Sequence, residues 1–395
     1  MDIQQYRADT PGCKTKIHFN NAGAALMPMP VVKVIQDYIA EEAMTGGYEQ
    51  AALKAATISR FYTATALMIN ADARNIAFTS SATNSFARAL SCIPFEKGDT
   101  VVIANEDYAS NQIAFLSLEQ RIGIQLIRAA SLPEGGVDVA DMERLIRLHH
   151  PKLVSLTHVP TNTGLVQPVA AIGKICHELD IAYLVDACQS AGQLPLDVKE
   201  IQCDFMCVTM RKFMRGPRGT GFLYVSDKIL TKNWLPLYID MYGAQWTSKD
   251  EFVPVGDARR FQDWEQPYAL LVGSLAAVEY AMNAGLDNIA VRNKELCDKL
   301  RPALQALPGV QLLDKGAELC SIITLGISSA NSDVLLDTLR KKNINTAISG
   351  FSGALIDFQR KGVKWALRIS PHYYNTHEEG DILVNELHQL LTSPR

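Results

Sequence analysis

A lysine followed by a cluster of arginines and glycines gives the chain its best means of covalent chemistry on an anionic group. In VTMRKFMRGPRGTGFLYV, residues 208–225, an apolar run ends and Arg211, Lys212, Arg215 and Arg218 follow. Gly216, Pro217, Gly219 and Gly221 then open the turn before the next apolar run. Such a turn suits an anion, since it combines cations with a glycine-rich backbone that exposes N–H groups. On its own it also reads as a plain basic surface turn. It matches neither GxxxxGK[ST] nor GxGxxG, the two common phosphate-binding glycine signatures.

Two further segments carry compatible chemistry. In IAYLVDACQS, residues 181–190, Asp186 closes a nearly all-apolar strand, at the edge where open α/β sheets bind ligands. A carboxylate there needs a partner. A protonated heterocyclic nitrogen would serve, and Lys212 could supply an amine for a Schiff base. The alternative is a helix cap. In FTSSATNSFARAL, residues 78–90, a strand end, small hydroxyl residues and a helix start follow in turn. The free N–H groups of such a helix start bind phosphate, although an ordinary Ser/Thr cap looks the same.

The elements that must position these residues alternate. Apolar runs at 101–104, 153–157, 181–186, 204–208 and 222–225 alternate with helical periodicity at 138–149 and 169–179. This predicts an α/β fold whose mainly parallel central sheet has helices on both faces. Long helical stretches dominate 273–307. The last hundred residues then read helix, strand (321–327), helix (332–342), strand (364–369) and a terminal helix, which Thr376 and Glu379 begin with capping-box spacing. The expected division is a large domain over 15–265 and a small α+β domain made of 1–14 and 266–395.

The composition is that of a globular protein: 395 residues, 48% hydrophobic, 20% charged and a net charge of -4. No apolar run approaches the roughly 20 residues of a membrane-spanning helix, and the first residues lack the apolar core of a signal peptide. A cytoplasmic protein without a membrane or nucleic-acid partner is expected. Eight cysteines without a C-x-x-C pair read as free thiols, with no metal site expected.

Phosphate cradle, strand-end acid and lysine in a basic turn, in that order, are the parts needed to hold pyridoxal 5'-phosphate. From HFNNAGAALMP at 18–28 to its end, the chain resembles the class V aminotransferase group of fold-type I pyridoxal-phosphate enzymes. That group includes cysteine desulfurases, isopenicillin N epimerase-like proteins and carbon-sulfur lyases. The resemblance makes Lys212 the Schiff-base lysine and general base, within Thr209-Met210-Arg211-Lys212. It makes Asp186 the partner of the ring nitrogen and Gln189 a donor to the ring's phenolic oxygen. Ala82, Thr83, Thr209 and Arg211 become the phosphate-binding set, and Arg368, in WALRISPHYYNT, the arginine that binds the substrate carboxylate. Ala22 and Gly23 would line the substrate. Asn162, with Thr161 as its alternative, would contact the cofactor from THVPTNTGLVQP at 157–168. The ring-stacking group would come from EDYASN at 106–111, with Tyr108 as candidate and Ala109 in strict alignment.

Departures from the family pattern shape the expected activity. Met210 replaces a glycine and is expected to crowd the approach to Lys212. The loop AISGFSGALIDF, at 347–358, lacks the cysteine that desulfurases of the closest type carry there. Cys188 and Cys320 read as buried spectators, and His158 as a satisfied residue behind the site. Segment 259–268 matches the part of the family that reaches into a neighbouring subunit's site, which implies a homodimer. The expectation is a pyridoxal-phosphate-dependent carbon-sulfur lyase that acts by β-elimination on an S-substituted cysteine or its sulfoxide. An epimerase or aminotransferase is the alternative. A desulfurase is disfavoured by the missing cysteine, and a non-catalytic protein on the same fold by the intact Lys212, Asp186 and Arg368.

Overall fold

The computed structural model describes residues 1–232, 234–328 and 330–392, so the last three residues of the expected small domain lie outside the described residues. Seven strands form the central sheet, in the order Ile76–Thr79, Gly221–Val225, Phe205–Thr209, Ala182–Asp186, Leu153–Thr157, Thr100–Ile103 and Gln125–Arg128. All neighbouring pairs are parallel except the two made by Gly221–Val225, which runs against both of its neighbours. That reversal follows from the basic glycine turn. It joins Phe205–Thr209 to Gly221–Val225 without a helix, and a return without a crossover gives an antiparallel pair.

Most of these strands are buried on both faces, which explains why they read as continuous apolar runs rather than alternating ones. One core, containing Val102, Val154, Val185 and Met206, lies on one side of the sheet; the other, containing Ile103, Leu153, Leu184 and Phe205, lies on the opposite side. The division follows the two-residue period of a strand.

A second, antiparallel sheet has the order Val310–Leu312, Ile323–Ile327, Trp365–Ile369, Ala347–Gly350. Its core includes Leu325, Leu367, Leu383 and Leu387. The expected capping box forms: Thr376 N donates to Glu379 Oε2 at 3.1 Å, and Glu379 N to Thr376 Oγ1 at 3.2 Å. Residues Ile17–His18 pair with Ile344–Asn345 in a separate two-stranded sheet, and Asn20 bridges Ser370, just past strand Trp365–Ile369.

A boundary at 265/266 would group helix Tyr268–Ala284 with the second unit. Yet Leu271, Leu275, Val278 and Ala281 pack in the main core together with Val154 and Val185. The helix is apolar on nearly all sides, so it has to be enclosed.

Candidate active site

The C-terminal ends of three adjacent parallel strands, Leu153–Thr157, Ala182–Asp186 and Phe205–Thr209, open into one cavity. Ala82, Thr83, Tyr108, Asp186, Gln189, Thr209, Arg211 and Lys212 all line it, so most of the residues expected from sequence meet in one place. Two glycines permit that convergence. A side chain at Gly221 would run into the Val208 carbonyl at 2.4 Å and the start of helix Ala82–Cys92. One at Gly192, where φ is +86°, would strike the Phe213 carbonyl at 2.6 Å and so push the Asp186 loop away from the Lys212 turn.

At the cavity floor, Asp186 Oδ1 accepts from Cys188 N at 2.9 Å, and Oδ2 accepts from Asn111 Nδ2 at 2.9 Å. Lys212 is buried, and burial pulls its pKa below the ordinary lysine value against the nearby Cys188 and Asp186. An amine that loses its proton more readily is a better nucleophile at neutral pH. Tyr108 stands with its ring centroid 5.9 Å from Lys212 Nζ, whereas Ala109 lines a neighbouring cavity; of the two, Tyr108 is the residue on the site's side. Ser81 caps helix Ala82–Cys92 by accepting from Asn84 N, and the first two helix residues, Ala82 and Thr83, line the cavity with N–H groups this cap does not use.

Arg368, on strand Trp365–Ile369, is buried without a carboxylate partner. It donates to the Thr161 carbonyl at 3.2 Å and to Asn20 Oδ1 at 3.3 Å, and its Nε has no partner. Burial, and then the like charge of Arg211, pushes its pKa down to about 10. Arg211, Lys212 and Arg368 thus bring three basic side chains to a region holding two carboxylates, the buried Asp186 and, behind it, the half-buried Asp107. The surplus of positive charge, the free helix start and the unpartnered Arg368 Nε fit a ligand bearing a phosphate and a second anionic group. The residues therefore suit pyridoxal phosphate together with an amino-acid carboxylate.

Several expectations need correction. Asn162 does not line the cavity; its Nδ2 donates to the Gly353 carbonyl at 2.6 Å, and Thr161 lines the cavity instead. The backbone groups of Ala22 and Gly23 are already engaged. Ala22 N donates to Ser370 Oγ and its carbonyl accepts from Gln189, while Gly23 N donates to the Asn20 carbonyl and the Gly23 carbonyl accepts from Arg211. They keep only van der Waals surface for a substrate. Gln189 directs its amide donor to the Ala22 carbonyl and to Thr161 Oγ1, leaving Oε1 unpartnered. Met210 does not crowd Lys212; its side chain is fully buried in the main core on the other side of the turn. His158 is not satisfied: its Nδ1 is buried without a partner, and burial pulls its pKa down to about 4. Cys320 and Cys188 are buried, with thiol pKa values pushed up by burial; Cys188 nonetheless lines the cavity.

Sequence reasoning named Thr161 only as the alternative to Asn162, and missed Thr157, Asn111 and Asp107. The last two lie in EDYASN at helical spacing, i and i+4, so both can reach the same side of a helix start.

The family model for class-V aminotransferases matches residues 17–383. A protein of Methanothermobacter thermautotrophicus named a probable cysteine desulfurase is 28% identical over 99% of this chain and 98% of its own length. One of Pyrococcus abyssi with the same name is 26% identical over 99% and 98%. A solved cysteine desulfurase of Escherichia coli superposes with a TM-score of 0.91 at 22% identity, covering 99% of this chain and all of the other. These relatives overturn the expectation of a lyase acting on S-substituted cysteines, because proteins alike over nearly their whole length are named desulfurases. The missing loop cysteine does not exclude a desulfurase, because the thiol that takes the sulfur can come from outside that loop. The cofactor is pyridoxal 5'-phosphate, and this chain belongs to the class-V aminotransferase family of pyridoxal-phosphate enzymes.

Proposed function

We propose that this enzyme takes sulfur from L-cysteine, as a cysteine desulfurase does, and passes it to an acceptor thiol from outside the 347–358 loop. The observation that carries an amino-acid substrate is Arg368, a buried guanidinium with an unpartnered Nε and no carboxylate partner among the described residues. The names of the relatives supply the sulfur chemistry.

Lys212 would hold the cofactor, Asp186 its ring nitrogen, and the start of helix Ala82–Cys92 with Thr209 and Arg211 its phosphate. When bound, pyridoxal phosphate supplies an electron-withdrawing ring that stabilises negative charge at Cα. Arg368 takes the substrate carboxylate and fixes Cα relative to Lys212. Once freed from the cofactor, Lys212 removes the Cα proton. The acceptor thiolate attacks the substrate's Sγ, so that the C–S bond breaks and an S–S bond forms. Lys212 then returns protons to the carbon skeleton, which leaves as alanine, and the acceptor leaves as a persulfide. No cysteine of the chain suits the acceptor role: seven of the eight are buried, and only Cys13 is partly exposed, in the N-terminal segment away from this cavity.

We further propose a homodimer in which segment 259–268 approaches the neighbouring subunit's site. Tyr48, Tyr238, Met241, Trp246 and Trp264 stand exposed, an amount of apolar surface that favours burial against a second copy. A mass of one chain by light scattering at micromolar concentration would contradict the dimer.

Incubation of the loaded protein with L-cysteine and a thiol reductant tests the reaction. Sulfide and alanine in equal amounts are expected, and both should disappear in Lys212→Ala. Pyruvate in place of alanine would contradict the reading.

A further inference from the structure

Behind Asp186 lies a second, half-buried carboxylate that the mechanism has not used. Asp107 precedes helix Ala109–Ile122, and four donors converge on it. Tyr108 N (2.7 Å), Asn111 Nδ2 (3.0 Å) and the Thr157 hydroxyl reach Oδ1, while Gln112 Nε2 reaches Oδ2 at 2.9 Å. Among the described residues its hydrogen-bond partners are all donors, which favour the anion against the burial that raises its pKa.

The same Asn111 amide nitrogen also donates to Asp186 Oδ2 at 2.9 Å. One side-chain amide therefore ties the two acids together at the floor of the cofactor cavity. Thr157, which binds Asp107, is the direct register partner of Asp186 across the parallel strands. The link thus runs through rigid elements on both sides.

We propose that Asp107 is a positioning carboxylate for the cofactor's ring nitrogen: through Asn111 it fixes the orientation of Asp186 and adds a second negative charge behind it. A protonated ring nitrogen and the protonated Lys212 linkage are both cationic, and a nearby anion favours both. Burial, and with it the charge of Asp186, raises the pKa of Asp107; the Thr157, Asn111 and Tyr108 donors work in the opposite direction. The charged and titratable groups around Asp107 include Asp186 on the adjacent strand, Lys212 beyond it, Glu106 and Tyr108 on its own loop, Asp357, which lines the same neighbouring cavity, and Arg128, which reaches it through Gln112 by an Nη2 bond of 2.9 Å. The proposal depends on Asp186 meeting the ring nitrogen, and not on which bond of the substrate is broken.

The test is a pH titration of the visible absorption of the cofactor-loaded, substrate-free enzyme. Asp107→Asn keeps the size of the side chain and an acceptor for Thr157, but removes the charge. Its titration midpoint should fall by about one pH unit, the effect of one charge removed at this range in a partly screened interior. Asn111→Leu keeps both acids but removes the donor they share, so the pair takes up a proton and the midpoint should fall again; this variant carries the test if Asp107→Asn does not fold. Unmoved midpoints in both would overturn the role of Asp107. Asp186→Asn is the control for the site. If it alters the spectrum while the other two do not, only Asp107 loses its role. If it leaves the spectrum unchanged, the assignment of Asp186 fails and the Asp107 proposal falls with it.

Discussion

Arg215 and Arg368 are both buried with no carboxylate partner among the described residues, and their surroundings could hardly differ more. Arg215, three residues after Lys212, donates to the Leu26 carbonyl, the Tyr373 hydroxyl and Thr10 Oγ1. Its guanidinium lies 4.3 Å from the Tyr374 ring centroid and 5.3 Å from that of Tyr373. Burial pulls its pKa down, but the tyrosines more than offset this and leave it raised. Arg368 has two long contacts, an unpartnered Nε and a pKa pushed down to about 10. The first cation is complete within the protein; the second is complete only with a ligand. Burial alone does not tell structure from function; what sets Arg368 apart is an unmet donor together with its place beside Lys212 and Arg211.

Arg215 is also where the Lys212 turn is tied to the rest of the molecule. Its backbone N–H bonds the Lys212 carbonyl at 2.8 Å at a left-handed φ of +58°, and the neighbouring His372 bonds the Phe213 carbonyl at 2.9 Å. Replacing Arg215 with Met should therefore lower the stability of the apoprotein by about 3 kcal/mol, since several buried polar groups lose their partner together. Denaturant unfolding measures this. A loss below about 1 kcal/mol would remove the contrast with Arg368.

His158 supplies a second way to sharpen the comparison, because like Arg368 it is buried with an unmet nitrogen, but it escapes the charge by staying neutral. Its folded pKa of about 4 lies below the 6.5 of an ordinary histidine. The unfolded chain therefore binds the extra proton more readily, and stability is lost as pH falls from 6.5 towards 4. The loss should approach about 3 kcal/mol. In His158→Phe this part of the acid dependence should vanish, as followed by urea unfolding across that pH range. An unchanged slope would show that His158 has a proton partner in the folded state. A smaller effect, about 1 kcal/mol, is expected of Tyr373→Phe, which takes one hydroxyl from Arg215 and leaves its other contacts. No change in unfolding would show that this hydroxyl adds nothing to the Arg215 cage.

What was legible in the sequence follows the range of the interactions involved. Strand Leu153–Thr157 and the capping box of Thr376 and Glu379 are set by neighbours a few residues away, and both formed as read. The Lys212 turn and the Asp186 strand end were equally local, and both face the cavity. The choice of Asn162 over Thr161 failed on a single residue, because beyond a strand end the alternation of sides is lost. Asp107 and Asn111 were passed over because their meaning depends on Asp186 and Thr157, which lie 46 to 79 residues away along the chain and meet them only in the folded sheet. The satisfied state of Arg215 was equally hidden, since its partners come from both ends of the chain.

The most direct measurement is the affinity of the cofactor-loaded enzyme for L-alanine and for L-alaninamide, followed by absorption, in wild type and in Arg368→Met. Neither compound has a sulfur to lose, so binding is read without turnover. Wild type should prefer the carboxylate by about 100-fold, the effect of one charge-assisted bidentate contact, and the variant should bind both compounds alike. An equal preference in wild type and variant would show that Arg368, despite its unmet donor, does not receive the substrate carboxylate.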